Sequence, residues 1–264
     1  MTNAIKIAIQ GVSKRFTLSK NQTVHALSDI ELDIRDGEFF TLIGASGCGK
    51  TTLLRIIGGL EDTSEGKVEI STDVTGNRLV TATVFQENSV FPWLDVQSNV
   101  EYGLRIRGVP RAERRDIADH FISKVGLTAF RKAYPAQLSG GMRQRVSVAR
   151  AFANGPEILL MDEPFGALDE QTRIVLQEEV LRLWSEHRRT VVFVTHSLDE
   201  AIALSDRVAV LSARPGRVIK VIPVGLPRPR NVTELRADPR YAELYQTLWG
   251  MIRSDIQRGI EVPA

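Results

Sequence analysis

The stretch from Gly44 to Thr51 constrains this chain more than any other part of it. It reads GASGCGKT and matches the phosphate-binding pattern G-x-x-x-x-G-K-[ST] at all four specified positions. A β-branched and aromatic run, 38–43, precedes it, and residues 51–59 have the composition of a helix closed by glycines. A strand, a glycine-rich loop and a helix N-terminus in this order form a common phosphate site. The sequence therefore predicts phosphate binding here.

The residue types in this loop suit the phosphates of a nucleotide. Glycines allow backbone N–H groups to converge on phosphate oxygens, and the positive end of the following helix favours negative charge. Lys50 is expected to reach the β- and γ-phosphates, and the Thr51 hydroxyl to ligand Mg²⁺. We expect the nucleotide to contact the loop and the first helical turn, which comprise Gly44, Ala45, Ser46, Gly47, Cys48, Gly49, Lys50, Thr51 and Thr52.

Composition narrows the class of protein. A chain of 264 residues with 43% hydrophobic content is long enough to bury a core. A net charge of +2 provides no general field for nucleic acid or anionic lipid, and the single cysteine excludes an internal disulfide. The first residues lack the pattern of a signal peptide, and no window approaches 18 consecutive apolar residues. We therefore expect a chain that does not span a membrane by itself.

The first ninety residues show the alternation of half-exposed strands. Segments 5–10 and 26–34 predict two strands of an antiparallel sheet, and 67–70 and 79–85 predict two more, separated by a polar turn. Phe16 lies in a polar segment between the first two strands, which we interpret as a loop. Its ring is suited to stacking on adenine or to packing beneath that loop, and spacing leaves both interpretations open.

Helical patterns follow Gln86. Residues 111–126 predict a helix with an apolar stripe, and its basic cluster, Arg111, Arg114 and Arg115, has the spacing of a solvated face. Next comes LSGGM, in which Ser139, Gly140 and Gly141 open another apolar helix. Such a turn is either a second phosphate site or an ordinary N-cap.

Two further segments end in polar residues. ILLMDE, 158–163, predicts a buried parallel strand that carries Asp162 and Glu163 at its C-terminal edge. Asp162 suits a Mg²⁺ shell and Glu163 the activation of water, although two acids also cap such a junction. Asp169 begins a helix as its N-cap. Strand 190–195 ends beside His196, which either points to the same edge or is incidental.

The remaining segments complete the sheet and form a tail. Residues 207–211 and 217–221 predict the last strands, and the proline-rich stretch that follows predicts an extended linker. Asp238 and Pro239 then begin a helix, with Leu244, Leu248 and Ile252 on one face. We expect this helix to pack on its own domain, with contact to a partner as the alternative.

Taken together, the ordered motifs identify the chain as a member of a family. GASGCGKT, Gln86, LSGGM, ILLMDE, Asp169 in GALDEQ and His196 resemble the nucleotide-binding subunit of an ATP-binding cassette (ABC) transporter over about residues 4–225. LSGG distinguishes this family from other P-loop ATPases. The strings FPWL at 91–94, PFGALDEQTR at 164–173 and SARPGR at 212–217 are similar to the importers of nitrate, aliphatic sulfonates and taurine.

The resemblance implies roles for individual residues. Phe16 is the adenine-stacking residue, and Gln86 is the lid residue that senses Mg²⁺ and water. Glu163 is the general base, and His196 contacts the γ-phosphate and holds base and water in place. Metal ligation falls to Thr51, Gln86 and Asp162, and catalysis to Glu163, His196, Gln86 and Lys50. Nucleotide contacts extend from the loop to Phe16, Gln86, Ser139, Gly140, Gly141, Asp162 and Asp169.

The resemblance also implies an α/β fold: a P-loop NTPase (RecA-like) core with an antiparallel β subdomain and an inserted α-helical subdomain. The core with its β subdomain covers about 4–90 and 155–225, the helical subdomain about 91–154, and a C-terminal linker and helix 226–264. Two copies form a homodimer around two ATP molecules, with Ser139 and Gly141 of one facing the loop of the other. Membrane permease subunits dock around 86–93, where Phe91 and Trp93 are either a contact surface or loop packing.

The implied protein is peripheral, on the cytoplasmic face of the cell membrane, and serves a solute-binding protein indirectly without binding nucleic acid. Two positions depart from the family pattern: Phe16 stands where tyrosine is common, and Met142 replaces a glutamine. A soluble cassette ATPase acting on nucleic acid or ribosomes is the alternative, but such proteins carry a long coiled coil or two cassettes. A non-catalytic, ATP-gated scaffold is a third class, which Glu163 and His196 argue against.

Overall fold

The structure is a computed structural model that describes residues 4–19, 22–72, 79–86 and 89–261. In chain order its strands and α-helices are β1 Ile5–Ser19, β2 Gln22–Arg35, β3 Phe39–Gly44, α1 Lys50–Ile57, β4 Glu65–Ile70, β5 Thr81–Val84, α2 Val96–Ile106, α3 Arg111–Lys124, α4 Gly140–Ala153, β6 Ile158–Asp162, α5 Glu170–His187, β7 Thr190–Thr195, α6 Leu198–Leu204, β8 Arg207–Leu211, β9 Val218–Pro223 and α7 Pro239–Glu261. The chain separates into two compact units, one formed by the residues up to 72 and from 190 onward, the other by those between. Among the described residues, no helix combines the length and apolarity needed to cross a bilayer.

The first unit begins with an antiparallel sheet in which β1 lies between β2 and β4. Ile30, Leu32 and Ile34 of β2 are buried, and the charged residues between them are exposed, which confirms the predicted alternation. The predicted loop around Phe16 is wrong. β1 and β2 continue as the arms of a hairpin with Phe16 opposite Val24, because β-branched and aromatic side chains favour extended pairing. Lys20 and Asn21 of that predicted loop lie outside the described residues.

The second sheet of this unit is mainly parallel. β3 lies between β7 and β8, with which it is parallel, and β9 is antiparallel to β8. Every residue of β3 and β7 is buried, as expected for strands covered on both faces. Ile43 pairs with Thr195, so the glycine-rich loop and His196 leave the sheet from the same edge.

Among its described residues, the second unit contains a parallel pair of strands and four α-helices. β5 pairs with β6, with Val84 opposite Met161, and the predicted strand 79–85 is shorter than expected. The apolar stripe of α3 is displaced, since Ala118 and Ile122 are its most deeply buried residues and Ile117 is only half-buried. Most of the predicted 71–78 turn, residues 73–78, and residues 87–88 after Gln86 lie outside the described residues. The predicted helical subdomain, about 91–154, falls inside this unit, and its limits stay a prediction.

The C-terminal segment packs against its own unit. α7 begins at Pro239 after Asp238, as predicted, and Leu248 on its inner face is 1% exposed. The preceding stretch is anchored rather than a free linker. Arg228 Nη2 donates to Leu204 O at 2.6 Å and Arg230 Nη1 to Ser205 O at 2.7 Å, so both arginines satisfy carbonyls at the end of α6.

Candidate functional site

The glycine-rich loop curls around the side-chain ammonium of Lys50. β3 ends at Gly44 and α1 begins at Lys50, so the loop connects a buried strand directly to a helix N-terminus. Lys50 is 5% exposed, and its Nζ donates to Gly44 O at 2.8 Å and to Ala45 O at 3.0 Å. The lysine is therefore held over the loop, where a phosphate on the loop amides would meet its charge.

The backbone of the loop leaves no room for an added side chain at Gly44 or Gly49. Gly49 has φ +99°, and a Cβ there would lie 2.8 Å from Ala26 O and 2.6 Å from Leu27 Cδ2. A Cβ at Gly44 would lie 2.7 Å from Leu211 O. α1 has no side-chain N-cap and no acidic residue in its first turn, so its positive end carries no competing carboxylate. The loop thus fits a phosphate group.

Cys48 fills the inner side of the loop. Its side chain is 1% exposed, and burial raises the pKa of its thiol despite the Lys50 ammonium 3.8 Å away. A buried, protonated thiol has little nucleophilic character. Cys48 is therefore a packing residue of the loop rather than a reactive group.

The loop is braced by residues that the sequence analysis did not assign to the site. Arg214 Nε donates to Gly47 O at 3.3 Å. Gly216 bridges to β2, donating from its N to Ala26 O at 2.9 Å and accepting from Ser28 N at 3.0 Å. A Cβ at Gly216 would lie 2.1 Å from Cys48 O, so this position requires glycine. The Arg-Pro-Gly turn of the SARPGR string was the signal available.

Phe16 of β1 lies beneath a side-chain cation in the first unit. It is half-buried on β1, and the Lys14 ammonium lies 4.9 Å from its ring centroid. Lys14 is itself fixed by Glu61 Oε1 at 2.6 Å and Asp62 O at 2.7 Å. An aromatic ring in this setting suits stacking on a base, and the assignment to adenine stays a prediction.

His196 is exposed at the end of β7 and is followed at once by α6. The turn is fixed by two hydrogen bonds, since Thr195 Oγ1 lies 2.5 Å from Glu200 Oε2 and accepts from Ser197 N at 3.0 Å. Ser197 also caps α6. At the first turn of α6, the Tyr241 hydroxyl of α7 donates to Asp199. The backbone next to His196 is therefore tied to the body of its unit.

In the second unit, the structure brings Gln86 and Glu163 together. β6 is buried throughout and ends at Asp162, which is 4% exposed. Glu163 follows with φ +43°, an uncommon conformation for a residue with a side chain and one that clusters at functional sites. Gln86 Nε2 lies 3.4 Å from Glu163 Oε2. The amide is thus placed to orient the carboxylate that was predicted to be the base.

The glycine-rich LSGGM turn contacts the start of α5. Ser139 caps α4, accepting from Met142 N at 3.2 Å. A Cβ at Gly141 would lie 3.0 Å from Thr172 Cγ2. Thr172 N in turn donates to Asp169 Oδ1 at 3.0 Å, a bond that lowers the pKa of Asp169. The N-cap role that was an alternative for Ser139 is therefore observed, and it does not preclude ligand binding.

Aromatic residues before α2 and within it form a cluster. The Phe91 ring centroid lies 5.6 Å from that of Trp93 and 4.4 Å from that of Tyr102, and the Arg150 guanidinium lies 5.2 Å from Phe91. Trp93 is 69% exposed, whereas Phe91 is half-buried. Phe91 therefore combines packing with a supporting role for the exposed indole.

Comparisons with known proteins show which family this chain resembles. A family model described as ABC transporter matches residues 27–166. An uncharacterized ABC transporter ATP-binding protein of Methanocaldococcus jannaschii is 46% identical over 97% of this chain and 95% of its own. An aliphatic sulfonates import ATP-binding protein of Bacillus cereus is 41% identical over 96% of both chains, and a nitrate import ATP-binding protein of Synechocystis is 40% identical over 90% and 92%.

The fold has solved counterparts. A dimeric ATP-binding cassette, solved in a post-hydrolysis state with ADP and Pi, superposes with a TM-score of 0.73 at 32% identity, over 83% of this chain and 98% of that one. The predicted α/β, P-loop NTPase class is thereby confirmed. The chain belongs to the ABC transporter family, and it is an ATP-binding cassette with ATPase activity.

Proposed function

We propose that this chain hydrolyses ATP with Glu163 as general base, Gln86 and His196 as positioning groups, and Lys50 as the cation on the β- and γ-phosphates. The observation that carries the proposal is the 3.4 Å contact between Gln86 Nε2 and Glu163 Oε2, at a residue of positive φ directly after Asp162. A base held by a neighbouring amide is preorganised for the in-line attack of water.

The donor atoms in these motifs fit Mg²⁺. Thr51 offers a hydroxyl, Gln86 an amide oxygen and Asp162 a carboxylate, and hard oxygen ligands are those that Mg²⁺ prefers. When bound, Mg²⁺ neutralises charge on the β- and γ-phosphate oxygens. Asp162 is 4% exposed at the end of a buried strand, which restricts its carboxylate to few orientations.

The working unit that we propose is a homodimer in the ATP-bound state. The Ser139, Gly140 and Gly141 turn of one copy would cover the nucleotide held by the phosphate loop, Phe16 and Asp162 of the other, with Asp169 beside the junction. The start of α5 leaves little room beside Gly141, because an added Cβ would lie 3.0 Å from Thr172 Cγ2, and Thr172 N donates to Asp169 Oδ1. This proximity of the two motifs supports a shared role. The similarity to a dimeric cassette also favours this arrangement.

We further propose that the dimer energises import of a small anionic solute, of the nitrate, aliphatic sulfonate or taurine type, through separate membrane permease subunits. Two relatives at 40–41% identity are named for nitrate and sulfonate import. The exposed Trp93, backed by Phe91, provides the kind of aromatic surface on which a partner protein docks. Such a cassette would work at the cytoplasmic face of the membrane. A solute-binding protein would be an indirect partner, acting through the permease subunits, and nucleic acid would not be a partner.

The catalytic assignment is tested with Glu163→Gln, which keeps the volume and hydrogen bonding of the side chain and removes its basicity. We expect ATP binding close to that of the wild type and phosphate release lowered by about a hundredfold or more. Glu178→Gln, an exposed change on α5, is the matched control and should leave turnover unchanged. Near-normal turnover of the Glu163 variant would remove Glu163 as the base.

The import assignment is tested on the native complex. The chain is co-purified with its membrane subunits, reconstituted, and assayed for ATP turnover with nitrate, an alkanesulfonate or taurine in turn. Stimulation by one of these solutes supports the proposal. Stimulation by nucleic acid, with none by a solute, would favour a cassette acting on nucleic acid instead.

A further inference from the structure

A cationic pocket lies in the second unit, outside the residues proposed to bind nucleotide. Its volume is about 260 Å³, and its charged lining consists of Arg105, Arg111, Arg114, Arg115, Lys132 and Glu101. Five positive side chains therefore share one concavity with a single carboxylate.

These cations come from three separate parts of the chain. Arg105 lies in the last turn of α2, the other arginines lie in the first turns of α3, and Lys132 follows α3 in the connection to α4. The sequence spacing of α3 predicted a solvated basic face. The fold places Arg105 and Lys132 beside that face, and together these residues line a concave pocket. The periodicity of α3 alone does not indicate such a pocket.

The charge of the pocket is only partly neutralised. Arg114 Nε donates to Glu101 Oε2 at 3.0 Å, and Lys132 Nζ lies 3.5 Å from Asp95 Oδ2. Of the five cations, two thus have a carboxylate partner, whereas Arg105, Arg111 and Arg115 form no ion pair with any residue that the structure describes. A surplus of three positive charges remains around the cavity.

Several physical factors favour an anion here. Like charges around a concave wall repel one another, and field lines concentrate in such a cleft. Pro110, the N-cap of α3, provides no side-chain acceptor. Glu113 in the first turn offsets part of the positive helix end, but it lines a different cavity and is absent from the lining of this pocket. Guanidinium groups match the paired oxygens of sulfate and phosphate, which favours an oxyanion over chloride.

We propose that this pocket binds a small free oxyanion of the sulfate or phosphate class. Its volume, against about 30 Å³ for a water molecule in the liquid, accommodates one tetrahedral oxyanion together with several waters. The concave shape favours a free ion over a lipid headgroup, because a membrane surface would need the arginines on a convex or flat face. The proposal is independent of the transported solute and of the catalytic assignments.

The test is equilibrium dialysis of the full chain against radiolabelled sulfate. Saturating ADP blocks the phosphate loop, and sodium chloride keeps the ionic strength constant. We expect one saturable sulfate per chain, bound about tenfold or more weakly by Arg111→Gln/Arg115→Gln. Lys220→Gln/Arg253→Gln removes the same charge at exposed positions of the first unit and should leave sulfate affinity within about twofold of the wild type.

The outcomes separate the alternatives. The proposal is wrong if no saturable sulfate binds in the presence of ADP, or if the control pair weakens binding as much as the pocket pair. It is also wrong if the pocket arginines are needed for sedimentation with phosphatidylglycerol vesicles but not for sulfate binding. If the pocket pair alters the thermal midpoint or circular dichroism, the single change Arg105→Gln replaces it, and unchanged sulfate affinity in that variant overturns the proposal.

Discussion

Replacing Gly49 by alanine tests whether the shape of the phosphate loop depends on a missing side chain. Gly49 has φ +99°, beyond the small left-handed region that other residues tolerate, so alanine there costs about 2 kcal/mol in backbone strain. Its Cβ would also meet Ala26 O at 2.8 Å and Leu27 Cδ2 at 2.6 Å. Forcing a methyl group into such a packed position costs about 1–3 kcal/mol more.

Gly59, at the other end of α1, provides the matched control. Its φ of +67° lies within the left-handed region, and a Cβ there meets nothing within 4 Å. Gly59→Ala should therefore cost about 1 kcal/mol through the backbone alone. The difference between the two variants is then about 2–4 kcal/mol, of which the steric contact contributes about 1–3 kcal/mol and the extra backbone strain at Gly49 the rest.

Two measurements report this difference. The midpoint of thermal unfolding should fall about 5 °C or more further for Gly49→Ala than for Gly59→Ala. If the loop relaxes to avoid the clash, the strain appears instead as ATP affinity lowered by about tenfold or more, since the loop amides no longer converge. The reasoning is refuted if Gly49→Ala matches Gly59→Ala in both the thermal midpoint and ATP affinity.

Two other predictions follow from buried groups. Iodoacetamide at pH 7.5 should modify Cys48 far more slowly than a cysteine of an unfolded chain, because burial raises the pKa of its thiol. Once Cys48 is modified, the protein should no longer bind labelled ATP. Rapid modification without loss of ATP binding would contradict the position of the loop. In a urea titration, Arg230→Met should lower the free energy of unfolding by about 3 kcal/mol, because it leaves the carbonyls of Ile202, Ala203 and Ser205 without their donor. The control Arg253→Met, at an exposed position, should change the free energy of unfolding by less than about 0.5 kcal/mol.

The buried parts of the fold could be predicted because their residues repeat a simple pattern. β3, β6 and β7 are apolar runs bounded by turn residues, and each ends within one residue of its predicted limit. The helix starts at Ser139 and Asp169 were equally predictable, since serine and aspartate hydrogen-bond the free N–H groups of a first turn. In these elements, local chemistry and tertiary packing favour the same structure.

The hairpin around Phe16 was missed because its sequence is mostly polar. Lysine, arginine, serine and threonine obscure the alternation there, and the extended conformation comes from pairing of β1 with β2, which a local pattern does not reveal. The anchoring of Arg228 and Arg230 was hidden for a different reason. Their partners include carbonyl groups at the end of α6, and backbone acceptors leave no mark in the sequence. Arg228 also pairs with Asp206, a contact between segments 22 positions apart that no local pattern indicates.

The candidate site also contains some residues that the sequence could indicate and others that it could not. The loop, Asp162 and Glu163 could be selected as candidates from motifs, since each motif restricts residue type and spacing together, and His196 from the family resemblance. Their roles stay predictions. Arg214 and Gly216 support the loop from a distant part of the chain, and the positive φ of Glu163 depends on the turn that follows β6. Such features require the three-dimensional structure because they arise from contacts between segments far apart in sequence.

The measurement that tests the account most directly is the mass of the Glu163→Gln protein in solution with ATP. If Ser139 of one copy closes the nucleotide site of another, this hydrolysis-deficient variant should double its mass on adding ATP with Mg²⁺ and stay monomeric with ADP. Adding Ser139→Asp keeps an N-cap for α4 but sets a negative charge against the γ-phosphate, whereas Ser139→Asn keeps the cap without charge.

Light scattering after size-exclusion chromatography should therefore show an ATP-dependent dimer for Glu163→Gln and for Glu163→Gln/Ser139→Asn. Glu163→Gln/Ser139→Asp should remain a monomer while still binding ATP, because its own phosphate loop is intact. A Glu163→Gln protein that stays monomeric with bound ATP, or an aspartate variant that dimerises as readily as the asparagine one, would contradict a nucleotide site completed by the second copy.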